Sequence, residues 1–435
     1  MKKIIAFALS FVLMLTFSIS MLTVSAADYN CKIDTHSRNV YVENLDTGIV
    51  VYEENATEKV PPASLTKIMT YIVVVDSIPD LVNTKVTVTA EALSDLDPAS
   101  YVMGLANYIG QEFSVLDLLY GLMLPSGNDA ALVLANYIGD GVVGNFVDMM
   151  NRKAGQLGCS STHFVNPHGL YDSNHYSTAV DLATMTKYAY QKPYFDEITS
   201  TPSYKVIGMS EILENTNYMI NPYYTMYYYD YAHGGKTGYT DEAGKCLVST
   251  AKKDDYNYLC VTLGAPYSFA EDVNYAMIDS YHLYDWAFNN ISYVELLSET
   301  EVVDTLAVEF VWGNEFVDAV PQGGMSALLP NDYDKSLVTT NVDLPEYVSA
   351  PIEMDEVLGT ISVYYNNELV GTTNLISKEE IKRDQSNYLM HRFIGFVVNN
   401  VIWLTIVFII VVAFVVVKIN ANRNKKKRQS RYRYR

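Results

Sequence analysis

The stretch that decides the fold is PASLTKIMT, residues 62–70 of the 435-residue chain, in which Ser64 and Lys67 open an apolar helical pattern. On a helix, positions i and i+3 share a face, so the Ser64 hydroxyl and the Lys67 amine can meet. Serine is a poor nucleophile unless a base removes its proton, and a lysine kept neutral by burial or by a nearby positive charge can be that base. The pair is therefore compatible with a nucleophilic serine, but Ser-x-x-Lys alone is more typical of an ordinary exposed helix face.

Two further short motifs follow in order. SGN at residues 126–128 begins 62 residues after Ser64 and supplies a second hydroxyl and an amide in a loop between two predicted helices. KTG at residues 236–238 begins a further 110 residues on, and it would place a cation and a hydroxyl along one wall of a groove. Each motif alone is typical of an ordinary turn or strand end. All three in this order indicate one active site.

The order of the motifs is similar to that of penicillin-binding proteins and serine β-lactamases. The surrounding sequences, LPSGNDAA at 124–131, FVNPHGL at 164–170 and GKTGYT at 235–240, resemble the low-molecular-mass penicillin-binding proteins that are D-alanyl-D-alanine carboxypeptidases. The resemblance covers about residues 28–290. It implies a serine peptidase that trims the terminal D-alanine from peptidoglycan stem peptides through an acyl-enzyme, uses no cofactor, and is covalently inhibited by β-lactams.

The same resemblance implies a role for each motif residue. Ser64 would attack the carbonyl between the two D-alanines, and Lys67 would take its proton. Ser126 would relay a proton to the leaving D-alanine, and Asn128 would hold the substrate and Lys67. The implied substrate-binding residues are Lys236, Thr237, Gly238, Tyr239 and Thr240, the first two of them near the terminal carboxylate. The backbone N–H groups of Ser64 and Tyr239 would form the oxyanion hole. The group that activates the hydrolytic water stays open.

Other functions of the same superfamily remain as alternatives. A transpeptidase shares the acyl-enzyme and differs in the acceptor, whereas a β-lactamase would need a deacylating carboxylate, and no Glu-x-x-Leu-Asn stretch stands between the second and third motifs. A non-catalytic β-lactam sensor would need a larger cytoplasmic effector than the tail after Lys418. His163, His168 and His175 do not have the spacing of metal ligands, so we expect no metal site.

The two ends of the chain differ from its middle. All fifty acidic residues lie between Asp28 and Asp384, and the net charge of −20 makes nucleic acid an unsuitable partner. Residues 1–26 have the basic start, apolar run and small-residue end of a signal peptide. Residues 393–417 are apolar enough to cross a membrane, and the basic tail 418–435 should stay in the cytoplasm. We expect a cell-membrane protein with one C-terminal span and an extracytoplasmic catalytic domain.

The pattern between these ends predicts a mixed α/β (α+β) catalytic domain over 27–290 with a helical subdomain, and the family resemblance implies that this domain is of the β-lactamase/transpeptidase-like class. An apolar pattern at 40–52 indicates a hairpin, and 245–251 and 256–263 indicate adjacent strands. Helical spacing is found at 65–76, 115–124, 129–137, 144–157, 179–191 and 270–288. After residue 290, short β-rich runs predict a small all-β domain at 291–380, with a hairpin turn at Asn366-Asn367, and a stalk at 381–392.

Tyrosines crowd the segment just before the third motif, where residues 218–231 include seven of them. Their rings could line the groove and stack on glycan, or they could pack a surface loop onto the domain. The sequence alone leaves both interpretations open.

Overall fold

The computed structural model describes residues 29, 31–267, 270, 272–313 and 315–431. It divides into two units, one comprising the chain up to Val294 with Leu328–Lys335 and the other comprising Glu295–Ala327 with the chain from Ser336 onward. The predicted signal peptide, residues 1–26, lies outside the described residues.

The elements alternate between strands and helices in the first unit, and strands predominate in the second. The strands are β1 (Asn39–Asn44), β2 (Val50–Glu54), β3 (Lys85–Thr87), β4 (Glu112–Ser114), β5 (Ser203–Tyr204), β6 (Leu213–Glu214), β7 (Ala232–Thr240), β8 (Gly244–Lys253), β9 (Tyr256–Ala265), β10 (Ile291–Leu297), β11 (Asp304–Glu309), β12 (Glu315–Pro321), β13 (Met325–Pro330), β14 (Val338–Asp343), β15 (Tyr347–Ser349), β16 (Val357–Tyr365) and β17 (Glu368–Ser377). The helices are α1 (Thr66–Ser77), α2 (Val115–Met123), α3 (Asn128–Ile138), α4 (Val143–Gln156), α5 (Ala179–Tyr190), α6 (Phe195–Ser200), α7 (Tyr275–Asn290), α8 (Gln385–Asn399) and α9 (Val401–Arg431).

Strands from both ends of the first unit meet in one antiparallel sheet with the order β2-β1-β9-β8-β7. Helices α1 to α6 come from the chain between β2 and β7. The predicted mixed α/β fold with an inserted helical subdomain is therefore confirmed. The sheet brings β7, which carries the third motif, to one edge.

The two faces of this sheet follow the two-residue period of a strand. On β9, Thr262 donates to the Ala276 carbonyl of α7 at 3.1 Å. The intervening residues Leu259, Val261 and Leu263 belong instead to the large core that includes the apolar side of α1. The sheet is thus covered on both faces, and α1 lies in the main core.

Helix α1 is buried along most of its length, from Thr66 to Val74. A 3₁₀ turn, Ala63–Leu65, leads into it. Burial of this kind leaves its polar members, above all Lys67, without water, so they must find partners inside the protein.

One predicted helix start is wrong. The helix expected over 270–288 begins at Tyr275, because Asp272 has a left-handed backbone (φ 49°) that a right-handed helix cannot include. The other predicted helices of this unit agree with the structure to within one or two residues at each end.

The second unit is built on a six-stranded sheet with the order β14-β16-β17-β12-β11-β15 and has its own apolar core. Tyr365 pairs with Glu368 across the turn, and both Asn366 and Asn367 have positive φ, at 50° and 65°. Two central residues with positive φ make the tight turn that matches the twist of a hairpin, as the Asn-Asn pair predicted.

The chain ends in two helices that break at Asn400, α8 and α9. Residues Val401–Asn424 of α9 are long and apolar enough to cross a membrane, and their side chains are exposed in the protein. The first seven residues of the predicted span, Phe393–Asn399, belong to α8 instead.

Candidate active site

The Ser64 turn is held by backbone contacts on its inner side. Ala63 has a positive φ of 48°, and its carbonyl accepts a hydrogen bond from the Thr66 hydroxyl at 2.8 Å. Gly169 packs against the same carbonyl, where a β-carbon would lie only 1.9 Å from the oxygen. The absence of a side chain at Gly169 therefore lets the turn take the conformation that presents Ser64.

Lys67 occupies the centre of the site and is fully buried. Its Nζ lies 2.9 Å from Ser64 Oγ, 2.6 Å from Asn128 Oδ1 and 2.7 Å from the His168 carbonyl oxygen. The predicted i, i+3 contact between Ser64 and Lys67 is present, with Ser64 in the 3₁₀ turn and Lys67 in the first turn of α1.

Burial lowers the pKa of Lys67 well below its ordinary value, and the charge of Lys236 lowers it further. The negative charge of Asp129 opposes this shift but contributes less. The surroundings of Lys67 therefore favour the neutral amine.

The SGN motif lies beside this lysine. Ser126 has a left-handed backbone (φ 63°), and Asn128 is the first residue of α3. Between them, a β-carbon at Gly127 would lie 2.7 Å from the Gly121 carbonyl oxygen. The Ser126 hydroxyl is buried and, within the described part of the chain, it has no hydrogen-bond partner.

The KTG motif on β7 forms the opposite side of the site. Lys236 is 1% exposed, and its Nζ donates to the Thr237 carbonyl at 3.0 Å. Burial lowers the pKa of Lys236 to about 7. A β-carbon at Gly238 would lie 3.1 Å from the Ser64 nitrogen, so the bare backbone here keeps the Ser64 N–H accessible.

A groove runs between these two sides. We call Ser64, Lys67, Ser126 and Asn128 the helix wall, and Lys236–Tyr239 the strand wall. The groove is lined by Ser64, Tyr101, Ser126, Thr216, Tyr218, Thr237, Gly238, Tyr239, Lys245 and Asn274. Lys67, Asn128 and Lys236 belong to the walls but are buried, so they are not part of the lining surface. Thr240 is not part of the lining either, and its hydroxyl accepts the Ala243 N–H at 3.1 Å in a turn.

Several residues that contribute to the site belong to no sequence motif that would have predicted their role. The Thr216 hydroxyl lies 2.6 Å from that of Thr237, and the carboxylate of Asp129 accepts the N–H groups of Met103, Gly104 and Leu105 at 2.7–2.8 Å. The His168 carbonyl is a backbone group, which no side-chain motif reports. Asp129 alone could have been singled out, because it directly follows SGN.

The histidines support the site through hydrogen bonds. His175 Nε2 lies 2.7 Å from the Thr66 hydroxyl, and the Val165 N–H donates to His175 Nδ1. Because Thr66 donates to Ala63, His175 must donate from Nε2 and is neutral. Burial lowers the pKa of His175 to about 4 and that of His168 to about 3. No cluster of metal-ligating side chains occurs among the residues that the structure describes.

The crowded tyrosines divide between the two interpretations. Tyr218 lines the groove and stacks on Tyr224 with ring centroids 4.0 Å apart. Tyr229 is buried and packs against Tyr281 and Tyr284 of α7. Tyr227 and Tyr229 therefore pack on the domain, Tyr223 is exposed, and the first ring of the segment, Tyr218, reaches the groove.

A serine hydroxyl bound to a buried lysine, a second buried lysine on the facing strand and a sheet with an inserted helical subdomain define an active-site-serine enzyme of the penicillin-binding class. Family comparison agrees. Residues 23–267 match the family described as D-alanyl-D-alanine carboxypeptidase, and residues 292–383 match the C-terminal domain of penicillin-binding protein 5. The chain belongs to the D-alanyl-D-alanine carboxypeptidase family of serine peptidases, as its motifs predicted.

Individual relatives match more than three quarters of the chain. The chain is 29% identical over 391 residues to D-alanyl-D-alanine carboxypeptidase DacF of Bacillus subtilis, covering 88% of this chain and 95% of the relative. It is 30% identical over 356 residues to DacC of Escherichia coli, covering 77% and 82%. The crystal structure of penicillin-binding protein 5 from Haemophilus influenzae matches with a TM-score of 0.59 and 25% identity, covering 81% of this chain and 99% of that one.

Proposed function

We propose that the protein releases the terminal D-alanine from peptidoglycan stem peptides, with Ser64 as the nucleophile and Lys67 as its base. The observation that carries this assignment is the set of three contacts around Lys67 Nζ. The Asn128 and His168 oxygens can only accept, so they take both N–H bonds of a neutral amine. The lone pair of that amine is then left for the Ser64 hydroxyl, which donates to it.

In the first chemical step, the Ser64 proton moves to Lys67 as Ser64 Oγ bonds to the carbonyl carbon of the penultimate D-alanine. The N–H groups of Ser64 and Tyr239 stabilise the resulting oxyanion, and such preorganised donors contribute about 3–4 kcal/mol each. The carbon–nitrogen bond then breaks, and the leaving amine takes the proton from Lys67 through the Ser126 hydroxyl. Water finally cleaves the ester and regenerates Ser64.

The strand wall binds the terminal carboxylate in this proposal. The Thr216 hydroxyl donates to the Leu124 carbonyl at 3.2 Å, so the Thr237 hydroxyl donates to Thr216 in the free protein and would turn to the substrate carboxylate on binding. The buried charge of Lys236 adds positive potential where little water screens it. A β-lactam presents a carboxylate and a strained carbonyl with similar spacing, so the same groove would take it as a covalent inhibitor.

Helix α9 supports a location at the cell membrane. Its 24-residue stretch Val401–Asn424, which is apolar up to Val417 except at Thr405, is about 36 Å long at about 1.5 Å per residue, enough for a hydrocarbon core of about 30 Å. The nine basic residues from Lys418 to Arg435 favour a cytoplasmic C-terminus. Protease added to intact protoplasts should remove the catalytic unit, and protection of that unit would overturn this topology.

The activity is tested by measuring free D-alanine released from a synthetic stem pentapeptide by the detergent-solubilised full-length protein. Wild type should release D-alanine, and so should the control variant Ser160→Ala, because Ser160 is an exposed serine that does not line the groove. Ser64→Ala should release none while keeping the wild-type unfolding temperature. Turnover by folded Ser64→Ala would refute the assignment of the nucleophile.

A further inference from the structure

The groove continues past Tyr239 to a half-buried lysine that the proposed reaction does not use. Lys245 lies directly opposite Tyr239 in the β7–β8 register, and both side chains line the groove. Its Nζ lies 4.5 Å from the centre of the Tyr239 ring and 3.9 Å from that of Tyr267. Two aromatic faces therefore hold this ammonium in place.

Lys245 has no acidic partner among the residues that the structure describes. The nearby carboxylates are engaged by phenols, since Tyr239 donates to Asp241 at 2.6 Å and Tyr267 donates to Asp272 at 2.8 Å. Neither carboxylate lies within 4.0 Å of Lys245 Nζ, so it forms no ion pair with them. Half-burial without such a partner is unfavourable, and it lowers the pKa of Lys245.

A second unpaired polar group lies on the same lining. Asn274 lines the groove with Lys245, and its buried side-chain oxygen has no hydrogen-bond partner among the described residues. An orphaned acceptor of this kind requires a donor from outside the protein to be satisfied. The groove is thus lined both by a cation without an acidic partner and by a residue whose side-chain acceptor is unsatisfied.

The direction of the substrate follows from the strand wall and rests on the proposed function. If the terminal carboxylate binds at Thr237 and the scissile carbonyl lies at the Tyr239 N–H, the acyl part of the peptide runs on past Tyr239. That path leads to Lys245 and Asn274, and each extended peptide residue covers about 3.3–3.6 Å of it.

We propose that Lys245 and Asn274 form a subsite for a carboxylate with a neighbouring N–H donor on the acyl side of the stem peptide. Lys245 pairs with the carboxylate, and Asn274 Oδ1 accepts the N–H. The carboxylate has two possible sources in a stem peptide: the side chain of a dicarboxylic diamino acid at the third position, or the α-carboxylate of the γ-linked residue before it. Both sources carry an N–H group on the carbon next to the carboxylate, an ammonium in the first and an amide in the second. The buried acceptor favours the first source, because an ammonium donates the stronger, charge-assisted hydrogen bond.

The test measures kcat/KM of the full-length protein for a pentapeptide with both carboxylates free and for two versions in which one or the other is amidated. Wild type should lose about tenfold on amidation of the third-residue carboxylate, the usual effect of removing a charged hydrogen bond. Lys245→Met should abolish this discrimination, and Lys245→Arg should retain it. Lys253→Met is the matched control, because Lys253 lies over the Tyr231 and Phe288 rings on the same strand but outside the groove lining.

The outcomes separate the subsite from the reaction. Wild type could instead discriminate against amidation of the second residue, with Lys245→Met losing that discrimination. This result would assign the carboxylate to the other source and overturn the choice of the third residue. Equal turnover of all three peptides by wild type would overturn the subsite and leave the carboxypeptidase reaction intact. Absence of D-alanine release from every peptide would instead contradict the proposed function. Equal thermal unfolding of the Lys245 variants and wild type establishes that the comparison concerns folded protein.

Discussion

The two walls of the groove each bury a lysine, and the lysines differ in what surrounds them. Lys67 on the helix wall contacts two obligate acceptors and the Ser64 hydroxyl, whereas Lys236 on the strand wall donates to the Thr237 carbonyl. Burial and a like charge lower the pKa of Lys67, whereas burial alone lowers that of Lys236, to about 7. In the proposed mechanism, the site therefore divides its two lysines into a proton acceptor and a source of positive potential.

The largest expected effect comes from the helix wall. Lys67→Ala should slow acylation by a β-lactam by about a thousandfold, within the usual range for loss of a general base. Lys67→Arg should be nearly as slow, because a guanidinium stays protonated and cannot take the Ser64 proton. Stopped-flow measurement of acylation checks both variants. A rapid Lys67→Arg enzyme would show that Lys67 supplies charge rather than basicity and would remove the contrast between the walls.

Gly238→Ala tests the contact between the two walls. The new methyl group would meet the Ser64 nitrogen at 3.1 Å and displace the N–H that we propose as an oxyanion-hole donor. Loss of one such donor reduces kcat by about a hundredfold or more. The carboxypeptidase assay on a short peptide measures this loss, and Gly324→Ala in the second unit is the control. Full activity of Gly238→Ala would mean that the Ser64 N–H is not needed.

Lys236 should set the alkaline limit of acylation. Its pKa of about 7 means that the positive charge is present below this pH and is lost as the pH rises through it. Lys236→Met should lower kcat/KM about tenfold at pH 6, and Lys236→Arg should extend the pH profile to higher pH because arginine stays charged. An unchanged alkaline limb in Lys236→Arg would assign that limb to another group.

The smallest effect on the reaction itself is expected at His175, which contacts Thr66 behind the Ser64 turn, so its contribution is sought in stability. Burial lowers the pKa of His175 from its ordinary value of 6.5 to about 4, so between these pH values the unfolded chain binds a proton that the folded protein does not. Stability should therefore fall as the pH falls from about 6.5 to about 4, by on the order of 3 kcal/mol from this group. Urea unfolding of His175→Gln should show a shallower acid loss, and an identical pH dependence in both proteins would contradict the assignment.

The catalytic motifs and the fold class could be predicted from the sequence, because they depend on short-range spacing and on apolar periodicity. The Ser64–Lys67 contact needs only one helical turn, and the Asn366-Asn367 hairpin needs only two residues with positive φ. Thr216, Lys245 and Asn274 could not be predicted, because they reach the groove through strand register and loop packing. The start of α7 was misplaced because nothing local marks Asp272 as left-handed.

The central claim is that Ser64 is the nucleophile activated by a neutral Lys67, and mass spectrometry of penicillin-treated full-length protein tests it most directly. A single adduct should appear on the peptide that contains Ser64, and its rate of formation should fall as the pH is lowered and Lys67 is protonated. Folded Ser64→Ala should carry no adduct. An adduct on Ser126, or acylation of Ser64 at an undiminished rate in Lys67→Ala, would contradict the account.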